Sequence, residues 1–431
     1  MKILSVNKFY HVYGGADRHF FELNEVYRQA GHQVIPFAMH HPRNCPSEYD
    51  QYFVSYINFW DDPGWRDRIR APGRVLVSGE ARRKIRRLIE DTQPDIAHVH
   101  LIYHQISPSI LPVIKEHGIP IVQTLQDYKP ICSTYSMVSQ GQVCERCRGG
   151  RFYQAALQRC NHGSLSASLL NSVEMYLHHA LGWYDLPDVY VAPSDFLRRK
   201  MIEFGMPSDK LVHIPNFVNT DTFTYSGTCD DYFLYAGRLV PIKGVGTLLR
   251  AMGYVRSKNV RLVIVGTGPQ QPELESLRAQ LGLQNVEFLG YQSGDQLRAL
   301  MANAMFSILP SEWYENCPIS VLETMAIGKP TIGAGIGGIP ELIDHGADGL
   351  LFESGNAEDL AEKIESLVAD PRRCREMGRS AREKAVRQYS HEQHYQAILD
   401  VFRRVMSTPL SNNRRVVVPC DDVQPRDQEE Y

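Results

Sequence analysis

The sequence lacks any uninterrupted apolar run that approaches the roughly 18 residues needed to span a bilayer. Its opening stretch, MKILSVNKFY, also lacks the long apolar segment and the small-residue cleavage site of a secretory signal peptide. We therefore expect a cytoplasmic protein. In that compartment the nine cysteines are expected to be thiols or metal ligands and not disulfides.

Three further absences narrow the function. With a formal net charge of −3, the chain lacks the cationic surplus of proteins that coat nucleic acid, so we expect no nucleic-acid partner. No full Gly-x-Gly-x-x-Gly fingerprint followed by a ribose-binding acid is present, which disfavours a nicotinamide oxidoreductase. The Asp-any-Asp pair that commonly holds a divalent ion on a nucleotide sugar is missing as well.

Apolar segments typical of short strands alternate with helical segments along most of the 431 residues. The alternation occurs in two series, which are separated by the polar stretch YSGTCDD. Such alternation is typical of parallel sheets with helices on both faces, so we predict an α/β protein with two doubly wound domains. Ligands of these folds bind at the carboxyl ends of the strands, which makes the cleft between the domains the expected site.

The same pattern predicts how the chain is divided. We expect one domain over residues 1–222 and a second over residues 223–388. Residues 389–406 are predicted to form a helix that packs back on the first domain. Residues 407–431 are polar, with one short apolar piece, and are expected to be a disordered tail.

The segment YAGRLVPIKGVGTLL places Arg238 just after a predicted strand and Lys243 just before a predicted helix. A planar guanidinium and a compact ammonium together suit a diphosphate. The alternative is a pair of solvated surface cations, which is the usual environment of these residue types. The position at the carboxyl end of a strand favours the diphosphate site. Because the aspartate pair is missing, we predict that the site needs no metal.

Three glycine-rich turns precede predicted helices and give weaker signals. Gly14 and Gly15 come before the first helix, where backbone amides and the helix dipole favour an anion. The turns at Gly266–Pro269 and Gly337–Gly338 have the same character. Each of the three is explained equally well as a tight turn or a helix cap.

Two glutamates, with seven residues between them, lie near the start of a predicted helix in SEWYENCPISVLETMAIGKP. Glu315 lies in the preceding loop and Glu323 lies inside the helix, which Gly328 is predicted to end. Carboxylates accept hydrogen bonds from pairs of sugar hydroxyls, so two at different depths can hold two sugar rings. Taken singly, Glu315 is equally typical of a helix-dipole partner and Glu323 of an exposed helix acid.

The stretch EWYENCPISVLETMAIGKPTIGAGIGGIPELI resembles the donor-site signature of the family 4 glycosyltransferases. GRLVPIKG resembles the diphosphate element of that family, GGADRH its N-terminal glycine loop and PDIAHVH its histidine segment. The resemblance covers roughly residues 1–400. It implies the GT-B architecture, in which two Rossmann-like domains face each other across a cleft. It also implies transfer of a sugar from a nucleotide donor with retention of anomeric configuration.

The resemblance further implies roles for single positions. Glu315 would bind the outer hydroxyls of the donor sugar and Glu323 the ribose hydroxyls, so that the interval spans two rings of one donor. The implied catalytic residues are His100, Arg238, Lys243 and Glu315. The implied donor-binding residues are Gly14, Gly15, Arg238, Lys243, Glu315, Asn316, Cys317, Pro318 and Glu323.

The N-terminal domain is implied to bind the acceptor. The family usually has a histidine before the aspartate of the segment that here reads TLQDY, where this chain has Gln126 before Asp127. We predict acceptor contacts at these two positions. His98 alternates with His100 on one predicted strand, and we expect one imidazole to face inward and the other to pack.

Four of the nine cysteines cluster in an insert near residues 131–163. They are Cys132, Cys144, Cys147 and Cys160. The central pair, followed by two glycines, resembles a zinc knuckle, and four thiolates satisfy a tetrahedral structural zinc. His162 is an alternative ligand, and scattered free thiols are the alternative to a metal site. We expect this zinc to support the acceptor side, whereas the chemistry is predicted to need no cofactor.

Arginine-rich segments occur in the first domain of this slightly acidic chain, at WRDRIRAPGRVLVSGEARRKIRRLIE and FLRRKMIEF. A solvated helix face is the simpler explanation. Peripheral contact with anionic lipid at the inner face of the plasma membrane would instead suit a lipid-linked acceptor. The expected function is sugar transfer from a UDP- or GDP-sugar to a glycan or lipid-linked acceptor in bacterial surface polysaccharide synthesis. The alternatives are another GT-B nucleotide-sugar enzyme, such as an epimerase, and a two-lobed sugar-binding protein.

Overall fold

A computed structural model describes residues 1–59, 65–225, 227, 229–257 and 259–407, with the side chains of residues 65–68 excepted. Except for Ser407, the tail predicted over residues 407–431 lies outside the described residues. Among the helices of the described residues, none is both long and apolar enough to cross a membrane.

The first half of the chain alternates strands with helices, as predicted. Its strands are β1 (Lys2–Val6), β2 (Gln33–Phe37), β3 (Ile96–Val99), β4 (Ile121–Thr124), β5 (Val138–Ser139), β6 (Gln142–Val143), β7 (Val189–Ala192) and β8 (Leu211–His213). Its helices are α1 (Gly15–Gln29), α2 (Trp65–Leu76), α3 (Gly79–Thr92), α4 (Ile110–Glu116), α5 (Gln154–Leu157), α6 (Leu165–Ala180) and α7 (Asp195–Glu203).

The second half repeats this alternation. Its strands are β9 (Tyr232–Ala236), β10 (Arg261–Val265), β11 (Val286–Gly290), β12 (Ser307–Leu309), β13 (Thr331–Ala334) and β14 (Gly349–Phe352). Its helices are α8 (Val245–Tyr254), α9 (Gln271–Gln280), α10 (Gly294–Asn303), α11 (Ile319–Ile327), α12 (Ile339–Leu342), α13 (Ala357–Ala369), α14 (Pro371–Gln388) and α15 (His391–Ser407).

The strands form two six-stranded parallel sheets, in the orders β2-β1-β3-β4-β7-β8 and β11-β10-β9-β12-β13-β14. The predicted α/β class with two doubly wound sheets is therefore confirmed. The direction of winding reverses between β1 and β3 in the first sheet and between β9 and β12 in the second. Loops that leave such a reversal point diverge, and the crevice between them is where ligands of these folds bind.

Helices cover the two faces of each sheet, which explains why the strands are apolar. All four residues of β3, β4, β7 and β13 are buried. A parallel sheet with helices on both faces leaves no strand side chain in water, so its strands are nearly continuous apolar runs. Such runs are why the strands could be recognised in the sequence.

After α14 the chain leaves the second half, and helix α15 packs on the first sheet. Its buried Ile398, Val401 and Phe402 share one apolar cluster with Ile3 and Leu23 of the first sheet and its helix α1. The chain therefore passes between the two halves twice. The two passages lie side by side, since the Val218 N–H donates to the Tyr389 carbonyl at 2.9 Å and Val218 forms a parallel bridge with Ser390.

Removing the Phe402 side chain should weaken the attachment of α15. Phe402 is 1% exposed, and truncating a buried phenylalanine to alanine costs about 3–5 kcal/mol through lost burial and the cavity left behind. We expect Phe402→Ala to lower the melting temperature measured by circular dichroism. The control Arg403→Ala alters a residue whose side chain is 64% exposed, and should change stability by less than about 0.5 kcal/mol. Equal melting temperatures for the two variants would contradict this packing.

Candidate active site

The loops that follow β9 and β12 bring two of the predicted residues into direct contact. The Lys243 ammonium donates to Glu315 Oε1 at 2.5 Å, and the Ser311 hydroxyl donates to the same oxygen at 2.7 Å. Glu315 is 6% exposed. These loops leave the two strands at which the second sheet reverses its winding, so the pair lies where a ligand is expected.

The charge on Glu315 depends on its neighbours. Burial alone raises the pKa of the carboxyl, but the Lys243 ammonium and the hydrogen bonds from Lys243 and Ser311 outweigh burial and hold the pKa below its ordinary value. Glu315 is therefore ionised at neutral pH, and the site presents a paired carboxylate and ammonium. A simple helix-dipole partner would not need this buried cation.

Arg238 lies in a loop that is fixed by close backbone packing. The Tyr235 hydroxyl donates to the Arg238 carbonyl at 2.9 Å. A Cβ on Gly266 would lie 1.9 Å from the Gly237 carbonyl oxygen, and one on Gly268 would lie 2.2 Å from that of Leu239. The Gly266–Pro269 turn, which we considered as an anion site or a plain turn, thus has a packing role, because only glycine lets it approach the Arg238 loop.

The glycine pair Gly337–Gly338 has a similar explanation. A Cβ on Gly337 would lie 2.5 Å from the Glu315 carbonyl oxygen, and one on Gly338 would lie 1.8 Å from the Asn316 carbonyl oxygen. The Gly338 N–H also donates to the Glu315 carbonyl at 2.7 Å. These glycines are required because the loop before α12 presses on the backbone of the Glu315 loop, a contact that the sequence analysis did not foresee.

Glu323 lies on α11, which ends at Gly328 in a left-handed conformation (φ 84°), as predicted. It is 6% exposed and forms an ion pair with Arg18 of α1. The reading of Glu323 as an exposed helix acid is therefore wrong. Burial raises the pKa of the Glu323 carboxyl, and the Arg18 charge opposes that shift. Sequence reasoning missed Arg18, although it lies in the quoted GGADRH motif.

The residues between the two glutamates connect the two sheets. Asn316 accepts a hydrogen bond from the Ser194 hydroxyl at 2.9 Å and donates to the Leu125 carbonyl at 3.1 Å. The Cys317 carbonyl accepts from the Asn216 amide at 3.0 Å. Pro318 precedes the first helical residue of α11. In this structure the Asn316 side chain and the Cys317 carbonyl are thus committed to contacts with the first half of the chain.

The glycine loop after β1 faces the start of α11. A Cβ on Gly15 would lie 3.6 Å from Ile319 Cδ1, whereas one on Gly14 would meet nothing within 4 Å. The Gly14 N–H donates to Asp17 Oδ2 at 3.1 Å. Gly14, Gly15 and the Arg18–Glu323 pair therefore place the first turn of α1 opposite the donor motif.

The predicted acceptor-side residues follow β4. Asp127 Oδ1 accepts a hydrogen bond from the Lys129 N–H at 2.9 Å. Burial raises the pKa of Asp127 to about 6, against the opposing charges of Lys8 and Lys129. The pKa of Tyr135 is raised to about 12, mainly by burial, while the Asp127 charge raises it and the Arg238 charge lowers it.

His100 occupies a different environment. It is 2% exposed, and burial lowers the pKa of its imidazole well below the ordinary value. Its ring packs on Phe20 with centroids 5.2 Å apart and on His98 at 4.3 Å. Within the described residues, no hydrogen bond, ion pair or ring contact joins His100 to Arg238, Lys243 or Glu315.

We expected one of the two imidazoles to face inward and the other to pack, and the structure places the two rings side by side. Residues two apart on a strand point to the same side of the sheet, and the two rings are neighbours. His98 is the partnered one, since its ring nitrogens lie 2.8 Å from the Tyr27 hydroxyl and 2.7 Å from the Thr124 hydroxyl.

The four clustered cysteines are all free. Among the described residues, the one group of three or more potential ligand atoms within 4.8 Å of one another is Asp221, His391 and Glu392. No three of the clustered sulfur atoms therefore meet that distance. Burial raises the pKa of Cys147 to about 12, and Cys132, Cys144 and Cys160 lie near enough to raise it further.

Comparisons with known proteins identify the family of both halves of the chain. Residues 13–222 match the family model "Glycosyltransferase Family 4", and residues 226–384 match "Glycosyl transferases group 1". An uncharacterized glycosyltransferase of Methanocaldococcus jannaschii is 34% identical over 184 residues, which are 39% of this chain and 47% of that protein. A GDP-mannose-dependent phosphatidylinositol monomannoside mannosyltransferase of Mycobacterium tuberculosis is 29% identical over 245 residues, or 49% and 64%.

Solved structures share the fold. The crystal structure of Anabaena Alr3699/HepE in complex with UDP covers 94% of this chain and 100% of its own, with a TM-score of 0.67 and 18% identity. At that identity the likeness establishes the GT-B fold alone. The matched region spans only about half of the curated relatives, at 47% and 61% of the two from Methanocaldococcus jannaschii.

The raised pKa of Asp127 predicts a stabilising substitution. Because the folded pKa of about 6 exceeds the ordinary value of 3.8, ionising this carboxyl costs stability as the pH rises from about 4 through about 6. We expect Asp127→Asn to raise the unfolding free energy at pH 8 by about 1–3 kcal/mol, and by less as the pH falls towards 4. Melting temperatures across this range measure the effect.

A second aspartate provides a control of opposite sign. Burial favours a higher pKa for Asp359, but the hydrogen bond from Lys363 and the Glu353 N–H hold that pKa below its ordinary value. Asp359→Asn should therefore lower stability at pH 8. If Asp127→Asn were destabilising at pH 8 as well, the buried environment inferred for Asp127 would be contradicted.

Proposed function

Because this chain belongs to the family 4 glycosyltransferases, we propose that it is a retaining enzyme that moves a sugar from a UDP- or GDP-sugar to a glycan or lipid-linked acceptor. The observation that carries this proposal is the convergence of two buried carboxylates with two cations. Lys243 meets Glu315, and Arg18 meets Glu323 from the opposite half of the chain. A nucleotide sugar offers hydroxyls for the two acids and a diphosphate for Lys243 and for Arg238, which lies between β9 and α8 as Lys243 does.

Lys243 and Arg238 would act on the leaving group. Cleavage of the bond between the sugar and the phosphate develops negative charge on the diphosphate, and fixed cations stabilise that charge most in the transition state. The Lys243 ammonium is already held by Glu315 and lies 5.5 Å from the centre of the Trp313 ring. Such preorganisation avoids a reorganisation cost at the moment of reaction.

The carboxylates would hold the two sugar rings. Glu315 is ionised and accepts hydrogen bonds from the hydroxyls of the donor sugar, while Glu323 accepts from the ribose. Arg18 occupies the Glu323 carboxylate in this structure, so the ribose must share that carboxylate with Arg18 or displace it. Retention follows if the acceptor hydroxyl attacks from the face that the phosphate leaves, with the departing phosphate as base. Trapping of a covalent glycosyl-enzyme would contradict this mechanism.

Asp127 and Gln126 would orient the acceptor. They lie just after the carboxyl end of β4, which is the end of a parallel strand where ligands of this fold bind. An acceptor hydroxyl that binds there would lie at the ligand-binding edge of the first sheet. With a pKa of about 6, Asp127 is mostly ionised at pH 7 and can accept a hydrogen bond from that hydroxyl.

Relatives support a nucleotide-sugar donor but differ in the base. The Anabaena protein was solved with UDP-glucose, and the mycobacterial relative is GDP-mannose-dependent. A role in bacterial surface polysaccharide synthesis is part of the proposal. An epimerase would consume a donor without an acceptor, so product analysis with and without acceptor separates the two. A binding protein would show no turnover of any donor.

A donor-binding experiment tests the proposal most directly. We expect one class of UDP- or GDP-sugar, with EDTA present, to raise the melting temperature by mass action. Glu323→Ala should abolish that rise. Lys243→Ala should reduce turnover by about 10²–10³ by analogy with removal of one preorganised oxyanion donor. The control Lys363→Ala removes a lysine that pairs with Asp359 at 2.7 Å and should leave turnover unchanged.

Two results would count against the site. Absence of stabilisation by every nucleotide sugar, in a folded sample, would favour a different ligand. Equal turnover for Lys243→Ala and Lys363→Ala would remove Lys243 from the mechanism, even if the donor still binds.

Contact with anionic membrane lipid is a further part of the proposal. Helix α3 presents arginines on its exposed side, of which Arg86 pairs with Glu116 at 2.7 Å and Arg87 lies 3.7 Å from Asp91. Arginine near an anionic bilayer contributes about 1 kcal/mol per residue. A lipid-linked acceptor would be reached from such a surface.

Vesicle sedimentation tests this contact. We expect the protein to bind vesicles that contain phosphatidylglycerol at low salt and to be released as salt screens the charges. Neutral vesicles should not bind. Binding should be lost when three exposed arginines of α3 are changed together: Arg83→Gln, Arg86→Gln and Arg87→Gln.

A matched triple variant in α14 serves as the control. It removes the same charge from the second half of the chain: Arg372→Gln, Arg373→Gln and Arg375→Gln. We expect this variant to bind as the unmodified chain does. No sedimentation with anionic vesicles at low salt, or equal losses in both variants, would contradict a membrane surface on α3.

A further inference from the structure

The cysteine insert has little regular structure to hold it together. Its only strands, β5 and β6, have two residues each and pair as one short hairpin. Several residues other than glycine have a positive φ: Tyr135, Met137, Gln140, Arg159 and His162. Ile131, Met137 and Phe152 anchor the insert in the adjoining apolar clusters. Its hairpin and loops themselves are irregular, and irregular modules of this kind often depend on a metal or on disulfides.

The hairpin brings the cysteines towards one another. The Met137 N–H donates to Cys132 Sγ at 3.4 Å, and the Cys144 N–H donates to the Met137 carbonyl at 2.8 Å. The Cys160 thiol lies 3.7 Å from the Ser139 hydroxyl of β5. Cys132 precedes the hairpin, Cys144 follows it directly and Cys160 lies further along the chain. The hairpin therefore brings these three cysteines together.

These cysteines meet at this hairpin, but their sulfur atoms do not surround a common centre. Hydrogen bonds hold Cys132, Cys144 and Cys160 at the hairpin, yet no three of the four sulfurs lie within 4.8 Å of one another. Zn–S bonds of about 2.3 Å in a tetrahedron place the sulfurs roughly 3.8 Å apart. Binding of zinc would therefore draw these loops together. Gly149 and Gly150, both at positive φ (72° and 76°), form the turn that follows the Cys144–Cys147 pair.

The turn between Cys144 and Cys147 reaches the candidate donor loop. Its Glu145 carboxylate accepts a hydrogen bond from the Tyr314 hydroxyl at 2.9 Å and pairs with Lys200 at 2.9 Å. Tyr314 immediately precedes Glu315, and the Tyr314 carbonyl accepts from the Tyr128 hydroxyl at 3.1 Å. Tyr314 is thus held at its hydroxyl and at its carbonyl by the first half of the chain.

We propose that Cys132, Cys144, Cys147 and Cys160 bind a structural zinc ion that holds Glu145 against Tyr314, so that the metal positions the donor loop. Four thiolates give the tetrahedral set that such an ion requires. This assigns the insert to the donor side of the site, and not only to the acceptor side that the sequence analysis expected. The effect on the donor rests on the proposed function, whereas the zinc site itself does not.

Metal analysis of the full chain tests the zinc site without reference to activity. We expect native mass spectrometry under reducing conditions to show one zinc per chain, lost on denaturation. Cys144→Ser and Cys147→Ser should reduce the zinc content, whereas Cys45→Ser, at an exposed cysteine outside the insert, should keep it. If the serine variants fail to fold, release of zinc from the unmodified chain by a mercurial reagent, followed with a metal-sensitive dye, gives the same information.

Two results would overturn the zinc site. One is a folded chain without zinc in which all four thiols react. The other is a mass lower by the hydrogens lost in disulfide formation, with protection from alkylation that reductant removes.

A matched pair of variants tests the link to the donor loop. Glu145→Gln keeps the cysteines but weakens the acceptor for Tyr314 and Lys200, so zinc should stay while the nucleotide-sugar affinity falls severalfold. Glu203→Gln is the control, because Glu203 also pairs with Lys200, at 3.0 Å, but does not hydrogen-bond to Tyr314 in this structure. It should change neither quantity.

Equal affinities for Glu145→Gln and the unmodified chain would overturn the role of Glu145 even if zinc is bound. If no nucleotide sugar binds the unmodified chain, the proposed function fails, while the zinc measurement still decides the metal site.

Discussion

Much of this structure depends on the buried carboxylate of Glu315. An unpaired charge at Glu315 would be costly to bury, and removing one partner of a buried ion pair typically costs about 3–5 kcal/mol. Lys243 and Ser311 provide the compensating contacts. Lys243 and Ser311 lie on loops whose backbones pack closely because of glycines. If these loops separated, the Glu315 charge would be exposed to water or left buried without a partner.

The loop that carries Glu315 is held at almost every residue by a different part of the molecule. The Glu312 N–H donates to the Ile242 carbonyl beside Lys243, Asn316 bonds to both Ser194 and Leu125, and the Cys317 carbonyl accepts from Asn216. The second sheet thus supplies the loop, but the first half of the chain fixes much of its conformation. A site of this kind forms only when both halves are folded and in contact.

Local patterns in the sequence predicted the helices and strands. They could not predict contacts between residues that are far apart in the chain. The strands could be predicted because burial on both faces leaves continuous apolar runs. Helix α11 was found from Gly328 and Pro330, which act within a few residues. The role of Gly266 could not be found in this way, because the carbonyl it must avoid belongs to Gly237, which is distant in sequence.

The candidate site shows the same division. The types and spacing of Glu315 and Glu323 indicated sugar binding, and a strand end indicated a phosphate role for Arg238. The partners Arg18 and Glu145 were missed because each acts on a residue from the other half of the chain. The rings of His98 and His100 lie side by side because a period of two places both on one face of the sheet, and the catalytic role expected for His100 stays a prediction.

The two passages of chain between the halves have a mechanical consequence. Because Val218 is hydrogen-bonded to Tyr389 and bridged to Ser390, the passages behave as one flat ribbon and not as two separate tethers. Any movement of one sheet relative to the other would therefore bend both passages together. The Arg18–Glu323 and Glu145–Tyr314 contacts each join residues of the two halves, so a movement that separates the halves would break both.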